Sequence, residues 1–273
     1  MDGDRDAPDS AAKVKATNRA AFTTQAAGYA ASQVVADRER RRAFVDLIDP
    51  APDARVLDVA TGPGFTALAF AARVRFVLGV DLTPAMLAQA RRNAAEAGGA
   101  ALHLVLGDAA ALPVATAAFD VVTCGNAVHH FPAAAPVLRE MRRACKPGGM
   151  IAISDLVSDE DPAKAAEHNA IERLRDPSHV WSFAPSELVA LLERLDLTVR
   201  SVTTTTARRG LDEWLAISKT PPDAAALVRQ RLHAAIEGDR AGLAVAWERE
   251  GDEPALRFTH TTAWIVAAVG GAA

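Results

Sequence analysis

Arg55-Val56-Leu57-Asp58-Val59-Ala60-Thr61-Gly62-Pro63-Gly64-Phe65 reads as a short apolar strand that runs into a glycine turn and reopens as a helix. Glycines at such a turn let the backbone approach a ligand closely, and the following helix leaves free N–H groups at its start. Working outward, similar β-branched runs recur at 76–80, 102–106, 119–123 and 150–154, separated by Ala- and Leu-rich stretches of helical length. Strands alternating with helices predict a parallel sheet covered on both faces. After Asp155 the pattern loosens. An inserted helix is expected over 159–175, a sheet-covering helix over 185–194 and a sixth strand over 197–206. A second insertion follows, helical over 222–237 and breaking at Gly251-Asp252, and the apolar run 257–269 would be a seventh strand.

The expected fold is therefore α/β, a doubly wound seven-stranded, mostly parallel sheet with helical lid insertions. We expect a disordered tail over 1–12 and one domain over 13–273. Within it, 13–48 would be an N-terminal helical lid, read as helices over 13–25 and 33–48, and 55–155 the ligand-binding core. Segments 156–183 and 207–255 would be insertions over the acceptor site. With 273 residues, half of them hydrophobic and 23% charged, the chain belongs to the soluble globular class. A net charge of −4 supplies no basic field for a phosphate backbone, so nucleic acid is not an expected partner. The acidic start lacks the order of a signal peptide and the longest apolar run is too short to cross a bilayer, which predicts a cytoplasmic protein without a membrane partner. Cys124 and Cys145 lack disulfide or zinc spacing and are expected to be reduced packing residues.

Three carboxylates stand at or just past the ends of the first three strands. Gly62-x-Gly64-x-x-Ala67 satisfies a dinucleotide fingerprint, but Asp58 beside the turn would repel a pyrophosphate at short range. S-adenosylmethionine brings a sulfonium and an ammonium group instead, which an acid suits. Asp58 also has a structural reading, as a carboxylate that ties down the turn. Asp81 can accept from both ribose hydroxyls, its alternative being an N-cap that Thr83 fills better. Asp108 can accept from an adenine amino group or simply occupy a Gly-Asp turn.

These segments resemble class I S-adenosylmethionine-dependent methyltransferases, specifically the type 11 group that includes ubiquinone and menaquinone biosynthesis enzymes. The likeness is carried by Asp58-Val-Ala-Thr-Gly-Pro-Gly64, Gly79-Val-Asp81, Met86-Leu-Ala-Gln-Ala-Arg91, Gly107-Asp108 with Leu112-Pro113, Phe119-Asp-Val-Val122, Ala127-Val-His-His-Phe131 and Lys146-Pro-Gly-Gly149. Ala60 departs from the pattern, standing where many relatives have glycine. The resemblance implies S-adenosylmethionine as cofactor, with Ala60, Thr61, Gly62 and Gly64 along its methionine and ribose, and Asp81 on the ribose. Leu82 would lie near the adenine, Asp108 with Ala109 on the adenine edge, Asn126 at the sulfonium end, and Phe22 and Tyr29 on a covering helix.

His129 and His130 are candidate bases, with packing and hydrogen bonding as their alternative. A metal role is not expected for them, because adjacent side chains on a loop diverge and no third ligand accompanies them. Phe22, His168, Glu172, His179 and Trp181 are expected on the acceptor side, although Glu172-Arg173 also reads as solvated charge and Trp181 as core. The expected function is methyl transfer to O, N or C of a small-molecule metabolite. The high Ala and Arg content suggests a GC-rich bacterial genome and specialised metabolism. A non-methylating cyclisation or elimination on the same fold, and a non-catalytic binding protein, are the alternatives, and oligomeric state is not legible.

Overall fold

The computed structural model describes residues 8–31, 37–250 and 253–270. Helices α1 (Pro8–Ala31) and α2 (Arg38–Ile48) precede an alternating core. It runs β1 (Arg55–Val59), α3 (Phe65–Ala71), β2 (Phe76–Asp81), α4 (Pro84–Ala97), β3 (Leu102–Leu106), β4 (Phe119–Gly125), α5 (Ala134–Ala144) and β5 (Cys145–Val157). Then come α6 (Pro162–Arg175), α7 (Pro185–Glu193), β6 (Leu197–Gly210), α8 (Leu211–Ile217), α9 (Pro222–Ala235), β7 (Ala246–Glu250) and β8 (Glu253–Val269).

The sheet order is β3-β2-β1-β4-β5-β8-β6. Strands β1 to β5 pair in parallel, while β8 runs antiparallel to both β5 and β6. The chain moves from β1 outward to β3 and returns to β4 on the other side of β1. That reversal opens a crevice at the carboxyl ends of β1 and β4, the usual ligand position in open α/β sheets.

Alternate residues along each strand face opposite layers. Val56, Val77, Val121 and Ala152 pack on Phe44, Val45, Ala67 and Phe70 of α2 and α3. Leu57, Val122, Ile151 and Ile153 pack on Leu138, Met141, Leu188 and Leu192 of α5 and α7. Each such burial contributes roughly 1.5–3 kcal/mol, so both faces hold the crevice rigid. A third cluster joins Trp214, Leu215, Val228, Leu232 and Phe258 to Ile171, which docks the second insertion on α6.

Three expectations change. Among the described residues the sheet has eight strands, because the second insertion supplies β7, paired antiparallel with β8. Its sequence, Ala-Trp-Glu-Arg-Glu, is a mostly polar edge ribbon with Trp247 54% exposed, and so lacks the apolar signal of the buried strands. Residues 8–12, expected in the tail, form the first turns of α1, and residues 1–7 lie outside the described residues. The second helix starts at Arg38 rather than 33, where the Asp37 side chain caps it by accepting the Arg40 N–H at 3.0 Å; residues 32–36 lie outside the described set. Cys124 and Cys145 are buried and free. Among the described residues no helix is long and apolar enough to cross a membrane.

Candidate active site

The crevice holds a cavity of about 220 Å³, walled by the loops that follow β1, β2, β3 and β4 and roofed by α1. The turn after β1 is built from backbone that side chains rarely adopt: Ala60 has φ 55°, Gly62 53° and Gly64 81°. For Ala60 this costs about 1–2 kcal/mol, the sort of strain that collects where backbone must approach a ligand. A Cβ on Gly64 would sit 3.0 Å from the Ala90 Cβ, so glycine there also lets α3 lie close to α4. Across the crevice, Asn126 at the end of β4 is likewise left-handed, with φ 52°.

The three carboxylates take different positions. Asp81 accepts the Gly62 N–H at 2.8 Å and the Thr83 N–H at 2.8 Å, tying the glycine turn to the end of β2. Each oxygen keeps acceptor capacity, and Asp81 lines the cavity. Its pKa is raised by burial, against the pull of these N–H groups. Asp108 pairs with Lys15 of α1 at 2.6 Å and accepts the Ala110 N–H at 2.9 Å. Asp58 and Gly64 are not among the residues lining the cavity. Asp58 lies beneath the turn, 1% exposed, accepting the Thr61 hydroxyl at 2.6 Å, and burial pushes its pKa up to about 7. The structural reading of Asp58 is therefore the one its contacts support. The other expected cofactor residues, Tyr29, Ala60, Thr61, Gly62, Asp81, Leu82, Asp108, Ala109 and Asn126, all line this cavity.

Helix α1 crosses the mouth. Besides the Lys15–Asp108 pair, Asn18 donates to the His130 carbonyl at 2.6 Å, and Phe22 sets its ring edge against His130 and Tyr29, with centroids 4.8 and 5.8 Å apart. Phe22, expected on the acceptor side, thus belongs to the wall of the first cavity.

A second cavity, about 150 Å³, shares Tyr29, Arg41, Thr66 and Asn126 with the first. His129 opens onto this second cavity and His130 onto the first. Asp155 accepts the His129 Nδ1–H at 2.6 Å and its backbone N–H at 2.9 Å. A carboxylate can only accept, so the ring proton sits on Nδ1 and Nε2 carries the lone pair. Burial lowers the His129 pKa, but the charge and hydrogen bond of Asp155 outweigh it and the net shift is upward. His130 bonds through Nδ1 to the Ser178 carbonyl at 2.9 Å, and burial followed by the neighbouring His129 drops its pKa to about 4. Identical in type and adjacent in sequence, the two rings differ in basicity because one has a carboxylate and the other a carbonyl.

The remaining acceptor-side candidates support this arrangement from behind. His179 donates through Nε2 to Asn169 Oδ1 at 2.8 Å and is held neutral, burial pushing its pKa down to about 2. Trp181 is not among the residues lining either cavity; its backbone N–H donates to the His129 carbonyl at 3.1 Å, and its ring faces Arg173. His168 and Glu172 are buried and meet His260 of β8, their ligating atoms within 4.8 Å of one another. This trio was invisible along the chain because His260 arrives from the last strand. Arg175 occupies the other Glu172 oxygen at 3.0 Å, so that carboxylate is already neutralised. Asp155, Lys15, Arg41 and His260 also escaped the sequence reading; only Asp155, at the carboxyl end of a core strand, carried a positional signal.

The donor set fits S-adenosylmethionine. Asp81 and Asp108 offer acceptors for hydroxyl and amino groups, the turn offers close backbone, and the buried acid beneath it favours a cationic end over a phosphate.

Comparisons with known proteins identify the family and the fold. A methyltransferase-domain family model matches residues 56–149. An uncharacterised methyltransferase of Bacillus subtilis, YcgJ, is 31% identical over 235 residues, spanning 86% of this chain and 93% of the relative. The crystal structure of YcgJ superposes with a TM-score of 0.78 at 28% identity, over 86% of this chain and all of that one. A demethylmenaquinone methyltransferase of Thermus thermophilus is 41% identical over 121 residues, 43% of this chain and 54% of its own. On the likeness to YcgJ over 86% of its length, in sequence and in fold, and the methyltransferase-domain match over 56–149, this chain belongs to the class I S-adenosylmethionine-dependent methyltransferases, of the type 11 kind.

Proposed function

We propose that the chain methylates a small-molecule acceptor held in the second cavity, with His129 as the general base. When bound, S-adenosylmethionine supplies an electrophilic methyl group. In this reading Asp81 holds the ribose hydroxyls, Asp108 and Ala109 take the adenine edge, Asn126 and Thr66 form the boundary between the two ligands, and α1 excludes water. The observation that carries the reading is that His129, oriented by Asp155, opens onto a cavity that shares a wall with the cofactor cavity. His129 Nε2 is positioned to take a proton from an acceptor oxygen, nitrogen or activated carbon as the methyl arrives. His130, with its pKa near 4, packs and is a poor base at neutral pH. The test is incubation with methyl-labelled S-adenosylmethionine and a metabolite extract. Label should enter a small-molecule fraction in step with S-adenosylhomocysteine release, and cofactor turnover without labelled product would overturn the reading.

A further inference from the structure

The second cavity is lined by four arginines, Arg40, Arg41, Arg175 and Arg209, and by no Asp or Glu among the described residues. Among the described residues only Arg175 of the four has carboxylates within 4 Å. Arg175 is paired, with Glu172 at 3.0 Å, Asp176 at 3.8 Å and the Ser218 hydroxyl, yet its Nε is buried without an acceptor. Arg209 is 8% exposed, has no ion-pair partner within 4 Å among the described residues, feels its main counter-charge from Glu213 beyond that distance, and its Nε is also buried without an acceptor. Arg40 bonds only neutral or main-chain-capping groups, its Nη2 reaching Thr205 Oγ1 at 2.8 Å. Arg41 donates to the Asp37 carbonyl at 3.1 Å, and burial pulls its pKa down to about 10.

Burying a guanidinium without an ion pair is costly, and an anion entering the cavity beside it lowers that cost. The planar fork of arginine matches carboxylate and phosphate oxygens in pairs. Around the cationic lining stand Phe44, Trp214 and Trp264, which suit an apolar body attached to the anion. Arg41 lies on the shared wall, within reach of a ligand in either cavity, whereas Arg40, Arg175 and Arg209 line the second cavity alone.

We propose that the second cavity recognises an anionic group, a carboxylate or a phosphate, carried by the methyl acceptor, through Arg40, Arg175 and Arg209. The proposal rests on the reading of this cavity as the acceptor site. The acceptor class is then a small acid with an apolar body, its nucleophilic atom lying toward Asn126 and His129.

The test is calorimetric titration of the full chain saturated with S-adenosylhomocysteine, with inorganic phosphate in one arm and benzoate in the other. At least one anion should bind at a single site, more weakly as salt rises. Its affinity should fall by at least about tenfold in Arg209→Met and in Arg40→Gln, with the S-adenosylhomocysteine affinity unchanged. Without anion, Arg209→Met should melt at a higher temperature than the native chain, since it removes an unpaired buried charge. Binding in the phosphate arm alone assigns a phosphate-bearing acceptor, and binding in the benzoate arm alone a carboxylate. Failure of both anions to bind, or equal binding by both variants, overturns the proposal. Failure of S-adenosylhomocysteine to bind, with anion binding intact, would instead count against the methyl-transfer reading. Arg40 is half-buried at the start of α2, so its variant keeps the test usable should Arg209→Met not fold.

Discussion

Asp155 grips His129 twice, through the ring Nδ1–H at 2.6 Å and the backbone N–H at 2.9 Å, so one carboxylate sets the position, tautomer and basicity of the ring together. General-base assistance is typically worth about 10²–10⁴-fold. His129→Gln should lose rate in that range with cofactor affinity nearly intact. Because the base must be neutral, activity should rise with pH through a limb above the ordinary histidine value of 6.5. In Asp155→Asn the limb should move down, as burial is no longer opposed by a charge. A purely structural role for Asp155 would leave the limb in place.

Asp81 ties down the glycine turn and lines the first cavity, where the proposed reading gives it the ribose hydroxyls. Asp81→Ala removes the acceptor for two N–H groups, which destabilises the turn by about 1–3 kcal/mol for each group left buried. It should also weaken S-adenosylmethionine by roughly 1.5–3 kcal/mol, the range for a hydrogen bond to a charged group. Calorimetry beside a urea melt separates the two effects. An unchanged dissociation constant in the folded variant removes Asp81 from the ribose site.

Asp58 titrates near neutrality because its carboxylate is buried beneath the turn. Its folded pKa, about 7, is raised above the ordinary aspartate value of 3.8, so its stability contribution is fully present below about pH 4 and is lost as pH rises through 7. Unliganded protein should therefore be less stable at pH 8 than at pH 5, and Asp58→Asn should flatten that slope. A cationic ligand end near the turn favours the carboxylate, so S-adenosylmethionine binding at pH 7 should release up to one proton. Titration in two buffers of different ionisation enthalpy reads that proton, and its persistence in Asp58→Asn would assign it elsewhere.

Helix α1 should behave as a lid rather than as part of the core. Across the cavity mouth it is held by the Lys15–Asp108 pair, the Asn18 bond to His130 and the Phe22 ring contact, while Gln25 donates to the Ser218 carbonyl and Lys219 to that of Thr24. Removal of residues 1–7 should be harmless. Removal through Ala30 should abolish turnover while the far-ultraviolet spectrum of the sheet persists, because the two faces of the sheet are packed by α2, α3, α5 and α7. Full activity in the longer truncation would show that α1 is no lid.

The stretch from Arg55 to Ser154 was legible along the chain because its information is local. Strand period, glycine turn and the acid after each strand are read from neighbours, and a parallel α/β sheet places those acids at one edge without further instruction. The same locality explains what stayed hidden. The β7 ribbon has no apolar signal, since an edge strand buries little. His129 and His130 are indistinguishable in sequence, and only the arrival of Asp155 beside one and of the Ser178 carbonyl beside the other gives the two rings different basicities. Arg40, Arg175, Arg209 and His260 come from α2, α6, β6 and β8, separated by up to 220 residues, and meet in one cavity. Charge shared between elements distant in sequence, in a low-dielectric space that exists only after folding, is a property of the tertiary structure alone.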